Sequence, residues 1–296
     1  MRVLVCVAHY VPRSGPRHRI EGSSQESPDA RAVTVTFCLR QWSSLVARRH
    51  FLLGTDFDLD PEMAGLVEPV ENAVSGSVYV CVNGDNHLLD QLSSVKVHTV
   101  RQPVGNPRHL PYVCRQIFVR FLGDYDLFVY AEDDTVPLDP GFFARYAAFD
   151  REFGPAFVLL PNRYELFSAG AHKVYLEFPS PNGYRVASPE PGPAILTMRD
   201  GTELERTNSP YAGCFAVTRE QLRAWAAMPF FDAPTAEFDA NVLEQAMIPM
   251  FGRRPVYRPS RRNVSALEVQ HVSGRNSHAS TPGNRLIGHL NGTMPD

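Results

Sequence analysis

Three adjacent carboxylates, Glu132, Asp133 and Asp134, follow an apolar run in this sequence and are its strongest chemical signal. Carboxylates this close repel one another, and removal from water pushes their pKa values up. A divalent cation relieves both costs. Hard oxygen donors suit Mg²⁺ or Mn²⁺, which take one or two protein carboxylates together with the phosphates of a substrate. In an extended segment Glu132 and Asp134 project to one side and Asp133 to the other, so Glu132 and Asp134 are the expected ligands. The plainer alternative is a solvated acidic turn that caps the next helix. Asp139, followed by Pro140, is the expected cap there and weakens that alternative.

The elements that would hold this cluster read as alternating strands and helices. Residues 2–8 form a continuous apolar run, the pattern of a strand buried on both faces. A polar stretch from His9 to Pro28 follows, and residues 29–48 read as a helix with a ragged apolar stripe. A second strand is expected over 77–82, ending in the turn signal Asn83-Gly84-Asp85, and a short third near 95–100. Leu110, Val113, Ile117 and Phe121 recur at helical spacing, and Leu127 to Ala131 is another buried strand, running directly into the carboxylates. Phe142, Tyr146 and Phe149 give the core face of the next helix, and a strand is expected over 156–160.

Prolines and polar turns loosen the pattern over 161–210, where an inserted hairpin region is expected. Order returns in a strand over 211–217, a helix opened by Thr218 with Gln221 at capping-box spacing, and a last helix over about 236–247. Such alternation implies an α/β fold: a mostly parallel central sheet flanked by helices, with a small antiparallel hairpin insertion and a ligand crevice at the strands' carboxyl ends. One domain over 1–250 is the economical division, its nucleotide-binding half about 1–135 and its acceptor-binding half about 136–250, with 251–296 as a tail packing on or near the site.

The segment from Gly123 to Asp134 resembles the helix, strand and acidic motif of GT-A glycosyltransferases, with Glu in place of the usual first Asp. The resemblance implies that the motif's metal bridges the diphosphate of a nucleoside-diphosphate sugar; Asp133, on the opposite side of the chain, is expected toward donor-sugar hydroxyls or structural partners. The resemblance further implies a donor-sugar role for Gly213, within Pro210-Tyr211-Ala212-Gly213-Cys214-Phe215, where the other reading is close backbone packing. Glu237 and Asp239 correspond to the second acidic motif, which holds the catalytic base of inverting members; ordinary first-turn carboxylates are the alternative. A C-terminal histidine ligand would be His271, with His278 the other candidate. Ala8, His9 and Tyr10 after the first strand, and Asn83 and Asp85 after the second, would lie near base or ribose. Arg108 and Arg115, and also Arg101, could meet the diphosphate, since guanidinium matches phosphate oxygens. In a retaining enzyme Asn162, Arg163 or Glu165 would be the acceptor-side residues of interest.

The expected activity is therefore metal-dependent transfer of a sugar, of hexosyltransferase type, from a nucleoside-diphosphate sugar to the hydroxyl of a glycan or natural product. A nucleotidyltransferase is the rival enzyme class, but Val11-Pro12-Arg13-Ser14-Gly15-Pro16-Arg17 is only a faint echo of its glycine- and lysine/arginine-rich signature. A non-catalytic nucleotide-sugar-binding protein is the third reading. No GxGxxG follows the first strand, which disfavours a dehydrogenase. A net charge of -3 gives no reason to expect nucleic acid. Five scattered cysteines without a CxxC pair, no membrane-spanning run and no signal-like N-terminus point to the cytoplasm. Abundant Arg, Ala and Pro beside only two lysines suggest a GC-rich bacterial genome.

Overall fold

A computed structural model describes residues 1–12, 27–53, 67–92, 95–166, 172–176, 192–207, 212–228, 231 and 254–273. The first half runs β1 (Arg2–His9), α1 (Pro28–Leu45), β2 (Arg49–Leu53), β3 (Val67–Glu71), β4 (Ser75–Val82), β5 (His98–Arg101), α2 (Leu110–Arg120) and β6 (Leu127–Glu132). Then come β7 (Thr135–Val136), α3 (Phe142–Phe153), β8 (Val158–Leu159), β9 (Asn162–Leu166), β10 (Lys173–Tyr175), β11 (Ile195–Thr197) and β12 (Glu203–Thr207). The described part closes with β13 (Cys214–Thr218), α4 (Arg219–Ala226), β14 (Val256–Pro259) and β15 (Glu268–His271).

Val3 to Val7 offer no polar side chain to water, and β1 accordingly takes the centre of the main sheet. It pairs in parallel with β4 on one side and β6 on the other; β5 extends the sheet in parallel, and β13 closes the far edge antiparallel to β6. The order is β13-β6-β1-β4-β5, a mostly parallel sheet as the alternating pattern implied. Both faces are covered. Val3, Val5 and Val7 pack with α1 and α3, through Val35, Leu39, Trp42, Phe142 and Phe149. Leu4, Cys6, Phe128 and Tyr130 pack with α2 and α4, through Val113, Phe118, Leu222 and Trp225. All five cysteines are buried and free.

Local chemistry sets the helix starts. Ser27 caps α1 by accepting from the Ala30 amide at 3.2 Å, and Pro28 fits its first turn. Thr218 and Gln221 form the expected reciprocal capping box on α4. Asp139 departs from expectation. Its carboxylate accepts from the amide of Gly141, two residues on, at 2.7 Å, so the chain makes an Asx turn and α3 begins only at Phe142, with Gly141 as its N-cap.

Three smaller sheets accompany the main one among the described residues: β2 and β3 pair antiparallel as a two-stranded ribbon, and the other two are four-stranded. In one, the β9–β10 hairpin is extended by β15, parallel to β9, and β15 in turn pairs antiparallel with β7. In the other, the β11–β12 hairpin is joined by β14 and β8. The loosened 161–210 stretch thus holds two hairpins. Strand β8 is shorter than the 156–160 reading, and β14 and β15 draw residues beyond 250 into the sheets. The expected helix over 236–247 and the His9–Pro28 stretch from residue 13 to 26 lie outside the described residues.

Candidate metal centre

The carboxylates stand where β6 stops. Glu132 is the last strand residue, Asp133 and Asp134 make a turn, and Thr135 begins β7. Across the turn Glu132 and Asp134 come together, while Asp133 is engaged by His9 and Arg31. The register of β15 against β7 sets His271 opposite Thr135, beside the turn. Ligand atoms of Glu132, Asp134 and His271 consequently lie within 4.8 Å of one another. Among the described residues this is the group whose donor types and spacing could hold a metal ion.

Each member is held by a second residue. His271 Nε2 is 3.4 Å from Asp134 Oδ2, while its Nδ1 is 2.6 Å from Oε1 of the buried Glu165 on β9. Glu132 Oε2 lies 3.8 Å from Arg163 Nη1, and the Glu132 amide donates to the Gly213 carbonyl at 2.8 Å. Arg31, buried at the head of α1, spans two carboxylates: Nη2 donates to Asp133 Oδ1, and Nη1 donates to Asp134 Oδ2 at 3.0 Å. Asp133 is engaged on its other side by His9. The Leu88 amide donates to His9 Nε2 at 3.0 Å, which assigns the ring proton to Nδ1, pointing at Asp133.

The electrostatics report a site short of positive charge. Burial and the neighbouring Asp134 push the Glu132 carboxyl up to about 7, against the pull of Arg163 and His271. Burial works to raise Asp134 as well, but His271 and Arg31 outweigh it and hold this carboxyl well below the usual range. Burial would lower His271, yet Asp134 and Glu165 raise it to about 10. Without metal the ring therefore carries a proton on the nitrogen that faces Asp134, in the place a cation would take. Two carboxylates and one imidazole, the latter oriented by a buried carboxylate, fit a divalent cation in donor type and spacing.

The glycine at 213 belongs to this site. Its φ is +65°, and a Cβ placed there would lie 2.7 Å from Thr135 Oγ1 and 3.0 Å from Glu132 Oε2. Close packing against the acidic turn accounts for the residue.

The other sequence candidates fall in several places. Ala8 pairs with Glu132 in the β1–β6 register, with Tyr10 half-buried just beyond the strand. His9 is fully buried beneath Asp133, so its contacts are with the protein. Asn83 binds the backbone of Val104 through both its amide nitrogen and its oxygen, and Asp85 makes an exposed ion pair with Arg101 at 3.3 Å. Arg115 is not brought to the acidic turn. It is buried between α2 and α4 over the rings of Tyr112 and Trp225, and donates to the Phe231 carbonyl at 2.8 Å. Asn162 binds the carbonyls of Pro259 and Val264. The Arg108 side chain, Glu237, Asp239 and His278 lie outside the described residues.

Sequence reasoning missed Arg31 altogether. The signal was present, since Arg31, Val35, Cys38, Leu39 and Trp42 are the buried residues of α1 at successive turns, and an arginine within a buried stripe needs an acidic partner.

No family model matches this sequence, and no match is found among curated proteins. Solved structures give distant likenesses. A nucleotide-diphospho-sugar transferase (so described) from Desulfovibrio desulfuricans is 12% identical with a TM-score of 0.38, covering 99% of this chain and 95% of that one. The CMP:2-keto-3-deoxy-manno-octonic acid synthetase complexed with CTP is 12% identical with a TM-score of 0.39, covering 98% and 99%. TarS of S. aureus, residues 1–349, is 11% identical with a TM-score of 0.41, covering 93% of this chain and 61% of that one. With scores this low, the functional reading rests on this chain's own residues. No helix among the described residues is long and apolar enough to cross a membrane.

Proposed function

We propose that this chain is a metal-dependent glycosyltransferase that moves a sugar from a nucleoside-diphosphate sugar to an acceptor hydroxyl. The observation that carries the reading is the gathering of Glu132, Asp134 and His271 at the carboxyl end of β6, beside the end of the central strand β1. Ligand crevices of open α/β sheets lie at that end. Glu132, Asp134 and His271 would hold Mn²⁺ or Mg²⁺. When bound, the cation neutralises the charge that develops on the nucleoside-diphosphate leaving group. Glu165 keeps the His271 ring turned toward Asp134, and Arg163 steadies Glu132. Asp133, fixed by His9 and Arg31, anchors the turn. In an inverting reaction Glu237 or Asp239 would take the acceptor proton as general base.

A thermal-shift panel of nucleoside diphosphates and their sugars, with and without Mn²⁺, tests this directly. A ligand present at 100 times its dissociation constant adds about 2.7 kcal/mol of stability. Stabilisation by one nucleotide, dependent on Mn²⁺ and lost in Asp134→Ala, is the expected result. Metal-independent stabilisation by every nucleotide, or by none, sinks the reading. Pyrophosphate release from a nucleoside triphosphate and a sugar phosphate would move the chain to the nucleotidyltransferases.

A further inference from the structure

Asp134 Oδ2 has two suitors. It is the atom 3.4 Å from His271 Nε2, so it borders the space where a cation would be held. It is also the atom that accepts from Arg31 Nη1 at 3.0 Å. A metal bound between Asp134 and His271 would place its charge beside a guanidinium that already uses the same oxygen. Like charges at such separations repel strongly once water is excluded, and Arg31 is only 4% exposed. The same guanidinium reaches Asp133 through its other nitrogen, so it clamps the turn across two carboxylates.

We propose that Arg31 is a resident counter-cation that competes with the divalent metal for Asp134, holding the acidic turn together in the metal-free protein and setting how tightly metal binds. The proposal rests on the metal reading of Glu132, Asp134 and His271. Competition has a cause in the packing: α1 is anchored along its length by Val35, Leu39 and Trp42, and the Trp42 indole donates to the Thr135 carbonyl at 3.0 Å. Arg31 therefore cannot retreat with its helix; only the side chain can turn away. A guanidinium displaced from Asp134 keeps Asp133 as a partner, which makes the exchange feasible within a buried site.

The test is Mn²⁺ binding to the full chain, read by the loss of the free-ion electron paramagnetic resonance signal, with no nucleotide present. Wild type, Arg31→Gln, Arg31→Lys and His271→Ala are compared, each first checked for a cooperative thermal transition. Arg31→Gln is expected to bind Mn²⁺ at least about tenfold more tightly than wild type, with Arg31→Lys between the two. Arg31→Lys guards against a Gln variant that fails to fold, because it keeps a charge while losing the two-nitrogen clamp; tighter binding in it alone still supports competition. Wild type and both folded Arg31 variants binding equally, or the variants more weakly, overturns the proposal and leaves the metal reading standing, provided His271→Ala loses binding. Mn²⁺ binding to none of the proteins overturns the metal reading and this proposal with it.

Discussion

Glu165 Oε1 lies 2.6 Å from His271 Nδ1, and the carboxyl is fully buried. A carboxylate behind a histidine fixes which ring nitrogen is presented and raises its basicity, and loss of such a partner costs roughly 10- to 100-fold in metal affinity. Glu165→Gln keeps the shape and removes the charge. Its Mn²⁺ affinity should fall by that factor while the thermal transition remains cooperative. An unchanged affinity would mean that His271 is not a ligand or does not depend on Glu165.

The pH behaviour follows from the same pair. The folded state holds the His271 proton to about 10, against an ordinary value of 6.5. The stabilisation from this group is thus complete below about 6.5, declines as the unfolded chain loses its proton, and is gone above about 10. Glu132, raised to about 7 from 4.5, loses its contribution in the same direction at lower pH. Asp134, held below its ordinary value of 3.8, acts oppositely and weakens the fold only on acidification. The metal-free site should therefore favour mildly acidic solution. Thermal melts of wild type and His271→Gln across this range should converge as pH rises toward 10, and constant separation would contradict the assignment.

A metal bound by His271 as proposed would displace its proton. Calorimetric titration of Mn²⁺ at pH 8, in buffers of different ionisation enthalpy, should report release of about one proton. Zero release would place the cation elsewhere.

Two glycines separate backbone strain from crowding. Gly213 and Gly154 both have positive φ, +65° and +75°, but only Gly213 has side chains within reach of an added Cβ. Gly154, at φ +75° and ψ 178°, holds a backbone conformation that is essentially reserved for glycine, and Gly154→Ala should cost on the order of 1–3 kcal/mol. Gly213→Ala should cost more and should also weaken Mn²⁺ binding, because the methyl presses on Glu132 Oε2. Equal losses in chemical denaturation would show that the acidic turn tolerates the intrusion.

Arg115 sits in an aromatic setting, over the rings of Tyr112, Trp225 and Phe231. Arg115→Met removes its bond to the Phe231 carbonyl and its ring contacts, and should destabilise by about 2–3 kcal/mol. Mn²⁺ affinity should be untouched. A large loss of binding in a folded variant would link α2 to the site by a route the contacts do not show.

The sequence made the parallel sheet legible because its strands are buried on both faces and so read as unbroken apolar runs, as in Val3 to Val7 and Leu127 to Ala131. The acidic turn was legible because three carboxylates at the end of such a run demand an explanation. The placement of its partners was not. Arg31 reaches Asp133 from 102 residues away and Glu165 reaches His271 from 106, and contacts of that range leave no local periodicity. Asp139 shows the reverse failure: Asp-Pro reads as a helix start, but the Gly at 141 lets the side chain close on its own backbone first.

The site's components are strung far apart along the chain, with His271 docking on β7 only through β15. During synthesis the ribosome must extrude past residue 271 before the proposed third ligand exists, so a nascent chain carrying only the parallel sheet would have the acidic turn without His271. Under the proposed ligand set, acquisition of metal would be a late event in biogenesis, and a chain interrupted before β15 would leave Asp134 with the Arg31 clamp but without His271.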